Sequence, residues 1–345
     1  MVGGDSSLEE QRNIPSSGPG FPVRRNLAAK LSASDLAFRI IARSGGLFVL
    51  VLMVLVGTFL AYRAAQALHK AGFSFLTTQT WNPDGGGFGI AAIMVGTILI
   101  AIVAIVVAVP LAAGAALYIS EYAPRRIQRG LISVVDLMAA VPSVVYGLWG
   151  AFFLQWRMVS VSRWINDWFG WIPLFKVNGV GRNYAGPTAT FYTSSTFIAG
   201  TVVALMVMPI ACSIMREAFS QAPASEREGA YALGATRWGM IRAVVLPFGR
   251  GAMIGGTMLG LGRALGETIA VVMIISPVFV IQPHILQNGT SSISSLIALH
   301  YAESTPFGVS ALMAAGLALF GLTLVVNFLA ALVVSRSRSG AVSDA

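Results

Sequence analysis

Charge is scarce in this sequence. Of its 345 residues only 11% are Asp, Glu, Lys or Arg, while 56% are hydrophobic. A soluble domain carries roughly a quarter charged residues, so the composition excludes a water-soluble globule and points to an integral membrane protein. Cysteine is almost missing: Cys212 stands alone, which excludes an internal disulfide and argues against a cysteine-based metal site. The three histidines, His69, His284 and His300, lie far apart and form no H-x-x-x-H pattern; a metalloenzyme is not expected. Lysine is rare too. Lys30, Lys70 and Lys176 are the only three, and none follows a glycine, so a G-x-x-x-x-G-K-[ST] phosphate loop is absent. Any ATP that drives this protein must be bound by another chain, and no cofactor of its own is expected.

What the sequence has in abundance is long apolar runs. Six of them, at about 40–68, 90–119, 131–156, 194–215, 251–280 and 307–334, meet the requirement of about 20 residues for a membrane span. Backbone polar groups cannot go unpaired in lipid, so each run should be helical. The fold class expected is an all-α polytopic membrane protein with six transmembrane helices. Pro110, Pro142, Pro209 and Pro277 fall in or near the runs and should kink them. Residues 1–38 read as a polar, largely disordered cytoplasmic tail, with a short amphipathic helix from Ser34. Residues 39–89 hold the first helix and an outer loop, 90–335 the main transmembrane domain, and 336–345 a short cytoplasmic tail. The first apolar run begins near residue 40 with no short h-region or small-residue cleavage site before it, so a cleaved signal peptide is not expected.

Orientation follows from the basic residues. With the N-terminus in the cytoplasm, sixteen Lys and Arg fall inside and six outside, and Arg263 is left within a span. Both termini are then cytoplasmic. Among the outer loops, Asn82-Pro83-Asp84-Gly85 is a turn signal. Trp164, Trp168 and Trp171 read as interfacial aromatics on a short surface helix, and 281–306 as a short polar loop.

Between the fourth and fifth runs lies a polar island, Glu228 to Pro247, on the cytoplasmic side. It reads as helix, turn, helix. Ser225 with Glu228 suggests a capping box, Gly234 a left-handed C-terminal residue, and Thr236 the cap of a second helix that Pro247 ends. Ala230, Tyr231, Leu233, Trp238, Met240, Ile241 and Val244 give it more apolar surface than a solvated loop needs, so it should pack against something, such as another protein. A DNA-reading helix-turn-helix is a poor fit, because spans flank it closely; a structural re-entrant hairpin is the other plain reading. The spacing resembles the E-A-A, three residues, G, nine residues, I, one residue, L-P loop of ABC importer permeases. It is carried here by Glu228, Gly229, Ala230, Gly234, Val244, Leu246 and Pro247, with Gly229 and Val244 departing from Ala and Ile. The resemblance implies that these residues couple the chain to a separate ATPase.

Arg263 and Glu267 lie one helical turn apart in the fifth run, within GLGRALGET. Intramembrane charges mark a pathway or a pair. Either the two neutralise each other at i, i+4, or Arg263 faces the path of an anion while Glu267 orients it; a guanidinium suits a tetrahedral oxyanion. Gly255, Gly256, Gly260, Gly262 and Gly266 should let helices approach closely. Asp136 is expected to pair with Arg129 or another helix rather than to line the path. Pro142 and Ser143 should mark a helix break beside it, and the methionines read as packing residues.

GLGRALGET and AVPSVVYG (140–147) resemble the permeases of the bacterial phosphate-specific transport (Pst) ABC importers, the PstC type in particular. That resemblance implies a type I importer permease (MetI-like) fold in the bacterial cytoplasmic membrane and no enzymatic activity of the chain itself. It further implies phosphate translocation by alternating access through Arg263 and Glu267. The implied partners are a second permease of PstA type, an ATPase dimer of PstB type and an extracytoplasmic phosphate-binding protein of PstS type. The rivals are a permease for another oxyanion, sulfate or molybdate, and an anion transporter or channel that needs no ATPase.

Overall fold

The computed structural model describes residues 33–179 and 188–338. Residues 1–32 of the tail read at 1–38, the stretch 180–187 between the third and fourth spans and residues 339–345 lie outside the described residues. The chain divides into two units, Met1–Val54 and Leu55–Ala345. The described part of the first unit is continuous helix carrying exposed apolar side chains such as Phe38, Phe48 and Val54. No separate amphipathic segment starts at Ser34, because one helix runs unbroken from Ala33 to Ala71.

Among the described residues, five helices are long and apolar enough to cross a membrane: Leu36–Ala71, Ala91–Tyr122, Thr196–Ser220, Arg237–Gly266 and Pro306–Leu332. A bent pair, Arg125–Ala140 and Ser143–Phe169, which meet at 90°, passes the same test together and takes the place of the third expected span. The order matches the six expected spans, with two corrections. The third span is broken rather than kinked. Val141 and Pro142 are extended (ψ 128° and 142°), because a residue before proline avoids the helical region and proline itself has no N–H to continue the ladder. The Met138 carbonyl, left at the end of the first half, accepts hydrogen bonds from Val141 N and from the Tyr146 hydroxyl at 3.0 Å. The break expected at Pro142–Ser143 is therefore present, and it turns the chain through a right angle.

The fifth span ends early. Its helix stops at Gly266, Glu267 is extended (ψ 127°), and a short helix, Ile269–Ile274, follows. Pro277 lies beyond that helix in irregular chain and kinks nothing. The stretch expected as a short polar loop continues into a helix, Ile293–His300, opened by a reciprocal Ser292–Ser295 capping box. Thr290, Ser291, Ser292, Ser294 and Ser295 are all buried there. A hydroxyl-rich sequence reads as a surface loop only when its hydrogen bonds go to water; here those of Ser292, Ser294 and Ser295 go to the protein.

The second and fourth spans form the most extensive helix pair. Ala104, Ala108, Ala112 and Ala116 recur every four residues along one face, each fully buried. They meet Ala199, Val203, Ala204, Val207 and Ala211 of the fourth span. Small side chains let the two backbones approach, the usual source of association where lipid is as apolar as the side chains. At Gly200 a Cβ would lie 2.6 Å from Val103 Cβ, and at Gly260 one would lie 2.4 Å from Val207 Cγ1. Of the five glycines expected to bring helices together, only Gly260 is essential to an approach. Gly256 makes ordinary contact, Gly262 is looser, and Gly255 and Gly266 face open space.

Outside these helices, Trp81–Asn82 and Gly87–Phe88 pair as a small antiparallel hairpin, its turn closed by Gly85 N donating to Asn82 Oδ1. Phe88 packs edge-on against Phe75, Trp81 and Phe307. Trp164 and Trp168 are exposed, as expected, but on the helix Gln155–Phe169 that continues the third span rather than on a separate surface helix.

Candidate coupling loop and intramembrane site

The stretch after the fourth span folds as the two helices expected. The first, Ala224–Ala232, starts after Pro223 with no side-chain cap. The Ser225–Glu228 capping box is absent: Ser225 is already inside the helix, and Pro223 with fixed φ begins it. The C-terminus is a Schellman closure. Gly234 has φ +83°, its N–H donates to Tyr231 O at 2.9 Å, and Ala235 N donates to Ala230 O at 3.0 Å. Thr236 Oγ1 then accepts from Gly239 N at 3.1 Å, capping the second helix.

That second helix does not end at Pro247. It runs on as Arg237–Gly266, one helix with the fifth span. The missing N–H of Pro247 is absorbed by a π-turn at Ile241–Val245, where Leu246 N donates back to Ile241 O. The wider turn relieves the clash a proline ring would otherwise make with the preceding carbonyls.

The apolar residues of the loop divide in two. Met240, Ile241 and Val245 are buried against Ala116, Ile119 and Phe219 at the ends of the second and fourth spans. Tyr231, Leu233 and Trp238 remain exposed, Leu233 at 91%. Glu228, Gly229 and Pro247 are exposed, while Ala230, Val244 and Leu246 are half-buried.

An ion pair that the sequence reading missed ties this loop to the spans. Glu121, in a π-turn at the end of the second span (Tyr118–Tyr122), is buried. Arg227 Nη1 lies 3.1 Å from both of its carboxylate oxygens, and Arg227 Nη2 donates to Phe219 O. The signal was the acid itself, placed just beyond an apolar run whose end had been set at 119.

In the membrane, Arg263 and Glu267 do not pair. The helix ends between them, and Glu267 turns its carboxylate to cap the next helix, accepting from Ala270 N at 3.2 Å. Its backbone carbonyl accepts from Ser294 Oγ at 2.7 Å. Arg263 is exposed on its helix and forms no ion pair among the described residues. The two motif segments are neighbours in space: a Cβ at Gly147 would lie 2.9 Å from Ala270 Cα. Asp136 accepts from Ser213 Oγ on the fourth span at 3.3 Å; its partner is another helix, not Arg129.

A multi-pass helical protein with a broken third span, a solvent-exposed helical hairpin before its fifth span and an uncompensated arginine within that span has the makings of a transport permease. The family described as binding-protein-dependent transport system inner membrane component matches residues 108–339. "Phosphate transport system permease protein PstC" of Xylella fastidiosa (strain 9a5c) is 38% identical over 304 residues, 88% of this chain and 91% of that protein. "Phosphate transport system permease protein PstC 2" of Mycobacterium tuberculosis (strain ATCC 25618 / H37Rv) is 39% identical over 294 residues, 84% of this chain and 88% of the relative. The PstC of Mesorhizobium japonicum is 35% identical over 340 residues, 97% and 100% of the two chains. The chain belongs to the binding-protein-dependent transport permeases and, within them, to the PstC family.

Proposed function

We propose that this chain is the PstC-type permease subunit of an ATP-driven importer that carries inorganic phosphate across the bacterial cytoplasmic membrane by alternating access. The observation that carries this reading is Arg263: an exposed guanidinium on a spanning helix, without a counter-ion among the described residues. A charge at the centre of a span costs about 2.5–3.5 kcal/mol on insertion scales, so it belongs on a polar path rather than against lipid. The names of the relatives support phosphate over sulfate or molybdate. A channel independent of an ATPase has no use for an exposed apolar hairpin.

In this reading the loop from Glu228 to Pro247 faces the cytoplasm, where the excess of Lys and Arg places it. Tyr231, Leu233 and Trp238 dock on an ATPase subunit, and Glu228, Gly229, Ala230, Gly234, Val244, Leu246 and Pro247 form the coupling motif that sets them there. ATP hydrolysis belongs to that subunit; this chain is not an enzyme. Arg263 meets the anion, and Glu267 shapes the break that leaves Arg263 at a helix end. Pro142 and Ser143 mark the break beside the path, where Tyr146 donates to the Met138 carbonyl, and Asp136 holds the third span to the fourth. A second permease of PstA type and a phosphate-binding protein outside complete the complex.

The test is radiolabelled phosphate uptake in phosphate-starved cells lacking the gene. Wild type should restore uptake that excess sulfate and molybdate do not compete away. Arg263→Gln should leave uptake at the level of the deletion while the complex still assembles. Normal uptake by Arg263→Gln would remove the path role, and competition by sulfate would overturn the substrate.

A further inference from the structure

The helix Ala224–Ala232 has no fully buried residue. Its partner in the hairpin is one continuous helix with the fifth span, so motion there reaches the membrane through the backbone. The first helix has no such rod. Where it touches the rest of the protein it does so through the half-buried Ala230 and through Arg227. Arg227 grips two structures at once: the Glu121 carboxylate on the π-turn that ends the second span, and the Phe219 carbonyl at the end of the fourth. The next residue of the same π-turn, Tyr122, lies under Arg237 at the start of the second hairpin helix, with the guanidinium carbon 4.9 Å from the ring centroid. One π-turn thus holds both helices of the hairpin, by an ion pair on one side and a cation–π contact on the other.

We propose that Glu121 and Arg227 are positioning residues that make the first hairpin helix and the inner end of the second span move as one body, so that a push on the hairpin is delivered to the tightly packed second and fourth spans. This rests on the reading of the loop as an ATPase-coupling element. The physical argument is one of stiffness. Charge-assisted hydrogen bonds shielded from water resist displacement far more than the exposed face of a short helix, and the Glu121 side chain is only 4% exposed. The π-turn supplies the geometry, because a widened turn sends Glu121 inward while Tyr122 stays at the surface.

The experiment uses the whole complex in liposomes with its binding protein, comparing wild type, Glu121→Gln, the doubly neutral Glu121→Gln/Arg227→Gln and the exchanged Glu121→Arg/Arg227→Glu. The doubly neutral variant leaves no buried charge uncompensated, so it should assemble even if Glu121→Gln alone does not. Expected is a fall of about tenfold in phosphate imported per ATP hydrolysed, the size of an ordinary coupling free energy, with the ATPase subunit retained; the exchanged pair should recover most of it. Wild-type stoichiometry in the doubly neutral variant would overturn the proposal, as would loss of transport strictly in step with loss of the ATPase subunit. A second readout does not depend on the substrate. Spin labels at Ser225→Cys and Tyr118→Cys should keep one distance with and without an ATP analogue when the pair is intact, and spread when it is neutral. An unchanged distribution in the doubly neutral variant overturns the link, whereas absent phosphate uptake by wild type would overturn only the substrate reading.

Discussion

The hairpin before the fifth span and the segment following Arg263 are both short helices joined by turns, yet they are held together differently. At the hairpin's turn, backbone N–H groups are satisfied by near neighbours: Gly234 N by Tyr231 O, Ala235 N by Ala230 O, Gly239 N by Thr236 Oγ1. In the intramembrane segment the partners are remote. Ser294 reaches Glu267 O across 27 positions, and Thr97 accepts from Ile293 N across 196. The turn of the hairpin is set by its own residues, whereas the intramembrane segment is tied to the second span. A substitution should therefore be felt locally in one region and across the whole fold in the other.

The largest stability effect should come from Gly96→Ala. A Cβ there would lie 2.1 Å from the Ser291 carbonyl oxygen, a backbone atom that cannot swing away. Overpacking of this kind costs about 1–3 kcal/mol or more. The expected result is a lower melting temperature and poor yield of the detergent-solubilised complex; wild-type stability would mean that the second span and the serine-rich segment are less closely tied than this comparison holds. Next comes Gly234→Ala. There is room for the methyl group, but φ is +83°, which costs an L-residue about 1–2 kcal/mol. Retention of the ATPase subunit on purification should weaken while the spans keep their melting temperature. A global loss of stability instead would erase the distinction between the two regions.

Thr236→Ala removes the cap of the second hairpin helix and should cost about 1 kcal/mol. That helix is continuous with the fifth span, so the loss should appear as faster hydrogen exchange at Arg237–Met240 and little else. The smallest effect is expected at Gly229→Ala. The site is exposed helix with open space around it, so the change should stabilise the first hairpin helix by at most about 1 kcal/mol and leave uptake unaltered. A loss of uptake there would show that the departure from Ala at this position is functional.

How much of this could be read beforehand follows the same division. The positive φ of Gly234 and the cap at Thr236 were legible because each depends on residues within a few positions. The break at Pro142 was legible for the same reason, since proline imposes it on its own neighbour. Pro247 misled because its effect depends on whether the preceding turn can widen, and a helix already packed into the span core favours continuing. The capping box at Ser225 failed because Pro223 starts the helix two residues sooner. The Arg263–Glu267 pair failed because i, i+4 pairing assumes a helix that reaches both residues, and this one ends at Gly266. Glu121 was passed over because nothing near it in sequence marks its partner, 106 positions away.

The sequence by itself determined that this chain is a multi-pass membrane protein, where its polar hairpin lies and which residues set the hairpin's turn. Those are matters of hydrophobic run length and local backbone chemistry, both complete within a window of some twenty residues. Tertiary structure alone decided which hairpin residues stay exposed, that Arg263 is left without its neighbour's charge, that the serine-rich stretch is interior and that Arg227 closes on Glu121. Each depends on where distant segments come to rest, because burial of a polar group is tolerable only when a partner arrives from elsewhere in the fold.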